Sequence, residues 1–154
     1  MTATAVMKGV RILEVAEQTF VPAASALLAD WGAEIVKIEP VERGDAMRGL
    51  AASGVMPITG DVHPLMEHSN RGKRSLALDL NSPEGIDILY KLVATSDVFL
   101  TNKLPRVRKK LKIEPEDIRA SLRMVFRDYI HEIREDNPEE ADRFRRALGP
   151  ELDL

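Results

Sequence analysis

Apolar positions run along this chain in two alternating rhythms. Residues 10–15 (VRILEV) form a short apolar run just after Gly9, the signature of a strand. Pro22 then opens a helix that carries Ala24, Ala26, Leu27, Leu28 and Trp31, and Gly32 closes it as a C-cap. Residues 33–39 (AEIVKIE), ended by Pro40, are the next strand. Strand, helix and strand in that order predict a βαβ unit, with parallel strands and a right-handed crossover.

The densest stretch is 70–85, NRGKRSLALDLNSPEG. Arg71, Lys73 and Arg74 make a cationic loop, after which Leu76, Leu78 and Leu80 alternate with Ala77 and Asp79 as in a strand. Ser82 suits an N-cap and Pro83 a first helical position, for a helix to residue 94 with Ile86, Ile88, Leu89, Leu92 and Val93 on its apolar face. Residues 97–102 (DVFLTN) give a further strand with Asn102 at its carboxyl end. Between these units, 41–69 reads mostly as loop: a turn at 42–45, a short helical piece at 47–50 and an irregular segment at 56–60. The pattern predicts an α/β protein with a mainly parallel sheet and flanking helices.

Beyond residue 102 the character changes. Lys103, Arg106, Arg108, Lys109, Lys110 and Lys112, punctuated by Leu104, Val107 and Leu111, predict a short amphipathic helix with a basic face. Its place matters, because open parallel sheets bind ligands outside the carboxyl ends of their strands. Pro115 starts another helix, residues 122–126 read as one more strand, and 127–154 as a helical tail. In that tail Phe126, Ile130 and Ile133 fall at helical spacing, Asn137-Pro138 opens a second helix bearing Phe144 and Leu148, and Gly149-Pro150 ends it.

Composition narrows the function classes. The 154 residues suffice for one domain with a core. A net charge of −3 gives no bulk attraction to nucleic acid or an anionic membrane, and Tyr90 and Tyr129 fall in predicted helices away from the basic patch. Without cysteine there is no thiolate chemistry, and His63, His68 and His131 lie too far apart to read as a metal site. No signal peptide or membrane span is visible, so the chain reads as cytoplasmic. Glu39 stands where a ribose-binding acid would follow a dinucleotide turn, but the turn at 16–22 (AEQTFVP) has no glycine to admit a pyrophosphate.

GVRILEV, Pro22, LLADWGAEIVKIEP, GDAMRG, NRGKRSLALDLNSPEG and DVFLTN resemble, in this order and spacing, the start of the class III CoA-transferases, the family that includes formyl-CoA and carnitine-type transferases and α-methylacyl-CoA racemases. The resemblance runs from about Gly9 to Phe126 and implies a Rossmann-like CoA-binding domain over 1–126, with 127–154 a tail of unknown role. It implies coenzyme A or acyl-CoA as ligand, with contacts at Thr19, Phe20, Pro40, Leu78, Asp79, Leu80, Asn81, Asn102, Lys103, Leu104, Lys110 and Leu111. Arg43, Arg71, Lys73 and Arg74 are weaker phosphate candidates. Two departures stand out: Lys103-Leu104-Pro105-Arg106 replaces a glycine-containing turn, and Pro40 replaces an arginine found in some members.

In that family an aspartate carboxylate attacks the acyl-CoA thioester and passes through an acyl-aspartyl anhydride, whereas in the racemases an aspartate and a histidine move the α-proton. Both residues follow the region that resembles this chain, so no catalytic residue is assigned, Asp153 included. The expectation is therefore a truncated CoA-binding portion that lacks the catalytic aspartate and works as a homodimer or with a complementing chain, as in the family's interlocked dimers. The alternative is a non-catalytic binding or assembly module that kept the fold and lost the CoA site.

Overall fold

The computed structural model describes residues 5–54, 62–134 and 136–148. Its centre is a four-stranded, fully parallel sheet: β1 (Arg11–Val15), β2 (Glu34–Glu39), β3 (Lys73–Ala77) and β4 (Val98–Thr101) in spatial order β3-β2-β1-β4. Among the described residues seven α-helices accompany it: α1 (Phe20–Asp30), α2 (Gly49–Ala52), α3 (Pro64–Asn70), α4 (Pro83–Ala94), α5 (Pro105–Leu111), α6 (Pro115–Ile133) and α7 (Pro138–Leu148). The α/β class and the parallel sheet are as the pattern predicts.

Strand periodicity assigns the two faces. On one, Leu13 and Val15 of β1 and Ile38 of β2 meet Leu89 and Val93 of α4 and Ile113 and Ile118 from the α5–α6 region. On the other, Ile12, Ala33 and Ile35 pack with Leu28 and Ala29 of α1. Helices on both faces of a parallel sheet make the arrangement doubly wound. Gly32, at φ 99°, donates its N–H to the Ala29 carbonyl (2.9 Å) and ends α1. Ser82 caps α4, its Oγ accepting from the Gly85 N–H at 3.0 Å. A Cβ on Gly85 would collide with the Asp79 carbonyl, so this turn requires glycine.

Four expectations change. β3 covers 73–77, not 76–80: the cations Lys73 and Arg74 lie in the strand, and Leu78 leaves it after donating its N–H to the Glu39 carbonyl (2.9 Å). The Lys73 ammonium is buried there and has a buried partner in Glu14. Helix α1 begins at Phe20 rather than Pro22, with Thr19 as its N-cap. Where the pattern predicts loop within 41–69, the structure has α3, seven residues long, capped by His63 and packed on α1. Residues 122–126 lie inside α6, not in a strand. Ile118 is buried and Leu122, four residues on, packs against the same core, which is the helical period. Helix α6 runs unbroken past residue 126. The irregular segment at 56–60, Gly149-Pro150 and Asp153 lie outside the described residues.

Candidate functional site

The connections after β1 and β3 carry the chain to opposite sides of β1, so the crevice between the carboxyl ends of β1 and β4 is the topological switch point. Asn102 shapes it. Its side-chain Nδ2 donates to the Glu17 carbonyl (2.7 Å), and its Oδ1 accepts the Glu17 N–H (3.2 Å), so one amide clamps the turn after β1 from both sides. Thr101 Oγ1 donates to the Val15 carbonyl (2.8 Å) and accepts the Lys103 N–H (3.1 Å), which fixes where Lys103 leaves the strand. The turn itself is tight: Gln18 adopts φ 70°, and its N–H is held by Asp45 Oδ1 at 2.9 Å.

Three charged side chains meet at the rim. Glu17 Oε1 is 2.9 Å from Arg43 Nη2 and Glu17 Oε2 is 3.1 Å from Lys103 Nζ. Lys103 and Glu17 are 18% and 15% exposed and Arg43 55%, so the group is open to a ligand without being fully solvated.

Below the rim, on the α1 face, lies a charged cluster that the sequence pattern does not predict. Register sets Glu14 of β1 opposite Lys37 of β2, and Lys37 opposite Ser75 of β3. Lys37 Nζ reaches Glu14 Oε1 (2.9 Å), Asp45 Oδ2 (2.8 Å) and the Ala16 carbonyl (2.8 Å). Lys73 Nζ reaches Glu14 Oε2 and the Pro22 carbonyl, each at 2.8 Å, and Ser25 Oγ also donates to Glu14. These four ionisable side chains are at most 2% exposed. Burial pulls the Lys73 ammonium below its ordinary value, and Glu14 opposes that shift. Glu39, next along the same face, takes hydrogen bonds from Arg48, from Ser75 Oγ and from the Asp45 N–H. Burial would raise its carboxyl, but those bonds outweigh it and hold the group at about 2. Glu39 is therefore engaged inside the protein and not presented to a ribose. One sequence signal was available: acids and lysines inside strands buried on both faces, which must pair.

The residues expected to touch coenzyme are gathered along the carboxyl edge of the sheet, but not equally. Thr19, Phe20, Asn102, Lys103 and Leu104 surround the switch point, with Phe20 90% exposed at the start of α1. Pro40 follows β2 and leads to Arg43. Leu78, Asp79, Leu80 and Asn81 follow β3 on the far edge, three strand spacings or roughly 14 Å from the end of β4, so only an extended ligand spans both. The Leu78 side chain belongs to the core, while the Asp79 carboxylate accepts from Asn81 N–H (2.9 Å) and orders this turn. Lys110 is exposed on α5, roughly 8 Å along the helix from Pro105, and Leu111 packs inward. Among the weaker candidates, Arg71 pairs with Asp30, Lys73 with Glu14 and Arg74 with Glu34, and only Arg43 lies at the switch point.

This chain matches CoA-transferase family III over residues 7–125. It belongs to that family. It is 34% identical over 113 residues to (R)-2-hydroxy-4-methylpentanoate CoA-transferase of Clostridioides difficile, covering 73% of this chain and 28% of that relative. Formyl-CoA:oxalate CoA-transferase of Afipia carboxidovorans is 32% identical over 125 residues, covering 76% and 28%. Among solved structures, a CAIB/BAIF family protein from Brucella suis superposes with TM-score 0.65 at 27% identity, over 75% of this chain and 30% of that one. A hypothetical protein from Mycobacterium tuberculosis gives TM-score 0.62 at 32% identity, over 75% and 30%. The chain thus spans less than a third of the length of these relatives. Among the described residues no helix is long and apolar enough to cross a membrane.

Proposed function

We propose that the carboxyl edge of this sheet binds a CoA thioester, and that the chain provides the coenzyme-binding portion of a cytoplasmic class III CoA-transferase. The observation that carries this reading is the switch-point crevice, where Asn102 clamps the β1 turn and Lys103 is held largely shielded beside it. Ligands of doubly wound sheets bind there, and a partly shielded ammonium suits a phosphate. The elongated reach from the β4 end to the Leu78–Asn81 turn fits an extended coenzyme. Thr19 and Phe20 border the opening, and Lys110 extends the positive surface along α5.

In this reading the matched residues bind and orient, and the carboxylate that attacks the thioester comes from outside them. The acyl-aspartyl step therefore requires a segment or partner chain that brings an aspartate to the crevice, in a homodimer or with a complementing chain. Titration of CoA, acetyl-CoA and adenosine 3′,5′-bisphosphate by calorimetry tests the site. Saturable binding of all three, weakened together by Lys103→Ala, is expected; a folded chain indifferent to all three overturns the reading.

A second reading, an assembly module without a coenzyme site, draws on the apolar stripe along α1 and its C-cap, where Phe20, Leu27 and Trp31 are all at least half exposed. Sedimentation separates the two: self-association lost on Trp31→Ser, in a chain that ignores CoA, favours the module.

A further inference from the structure

We infer that Glu17 is an internal anion that occupies the phosphate-binding cation pair of the crevice, and that a phosphate group enters by displacing it. The pair is Arg43, from the loop after β2, and Lys103, from the end of β4; the Glu17 carboxylate lies between them at 2.9 and 3.1 Å. Two cations from separate loops are thus gathered around one carboxylate at the place where a doubly wound sheet receives its ligand.

Three features make this carboxylate displaceable. The turn that bears it does not depend on it, because the backbone of Glu17 is held by both ends of the Asn102 amide. It is 15% exposed, whereas Glu14 three residues earlier is wholly buried and takes Lys37, Lys73 and Ser25 together. Each of its two oxygens answers one cation only, so leaving exchanges two partly solvated ion pairs for solvent. An incoming phosphate brings a larger charge and three acceptor oxygens to the same two donors, enough to replace a monovalent carboxylate. Without Glu17 the empty crevice would hold two facing cations, so the carboxylate also offsets one of the two positive charges while it waits.

The inference deepens the coenzyme reading and rests on it for the identity of the phosphate. It predicts that Glu17→Gln, which keeps the shape and removes the charge, binds CoA and adenosine 3′,5′-bisphosphate about tenfold more tightly than the natural chain. Pantetheine, which has no phosphate, should show no such gain, and Arg43→Ala with Lys103→Ala should abolish it. Equal or weaker binding of the phosphate ligands by Glu17→Gln overturns the inference. If neither chain binds CoA, the coenzyme reading fails and inorganic phosphate decides the rest. A larger rise in the thermal midpoint for Glu17→Gln than for the natural chain, lost in the Arg43/Lys103 double variant, upholds the displaced anion. An equal rise, or none, refutes it. Glu17→Ala serves if the glutamine variant does not fold; failure of both to fold shows Glu17 to be structural and also overturns the inference.

Discussion

Two charged groups sit within a few residues of one another at the carboxyl end of this sheet, and both are built from two lysine or arginine side chains around a glutamate. Glu14 with Lys37 and Lys73 lies under α1, at most 2% exposed, joined by Asp45. Glu17 with Arg43 and Lys103 lies at the rim, partly open to water. In the buried group every ion has several fixed partners, so removing one leaves another charge uncompensated in a dry interior. In the rim group water is an alternative partner, and any single contact is cheap to exchange. The same chemistry becomes architecture in one place and an exchangeable site in the other, and burial makes the difference.

The largest expected effect is on the buried group. Lys37→Met should cost about 3–5 kcal/mol in urea denaturation, because Glu14 and Asp45 then lose their common cation. A loss below about 1 kcal/mol would break the distinction between the two groups. Next comes pH. The folded Glu39 carboxyl lies at about 2, below its ordinary 4.5, so the unfolded chain takes up the proton first. Its stabilising contribution is complete above about 4.5 and is lost as the pH falls towards about 2. The stability gap between the natural chain and Glu39→Gln should therefore be widest near neutrality and close across that window, as followed by urea midpoints at successive pH values.

Lys103→Ala sharpens the contrast from the other side. Its stability should change by less than about 1 kcal/mol while CoA affinity falls about tenfold in calorimetry. A large stability loss with unchanged affinity would move Lys103 into the architectural class. Smallest of all, Arg74→Ala, whose exposed side chain meets Glu34 at 3.5 Å, should change stability by no more than about 0.5 kcal/mol and leave affinity unaltered.

Much of the fold was legible because strands and helices here obey their own periods. The apolar runs around Ile12, Ile35 and Phe99, the Ser82 cap and the basic α5 all stand where the pattern puts them, while the C-cap of α1 is Trp31 and the left-handed Gly32 follows it. The errors share a cause. Residues 73–74 look like loop because they are cationic, and 122–126 like strand because a short apolar run looks alike in either period. For the candidate site, Asn102 and Lys103 could be singled out from their position after an apolar strand. Glu17 and Asp45 could not, since each acts across a gap in the chain: Glu17 on Lys103, and Asp45 on Gln18 and Lys37.

By itself the sequence determined the alternation of strand and helix, the helix ends and the family, because those depend on local periodicity, capping chemistry and the order of motifs. The tertiary structure decided which charges are architecture and which are available. Parallel register placed Glu14 beside Lys37, and the divergence of the chain at β1 and β4 left Glu17 and Lys103 at the edge of water. Burial belongs to the assembled sheet and its helices, and it sets the strength of every ion pair; no stretch of residues carries it alone.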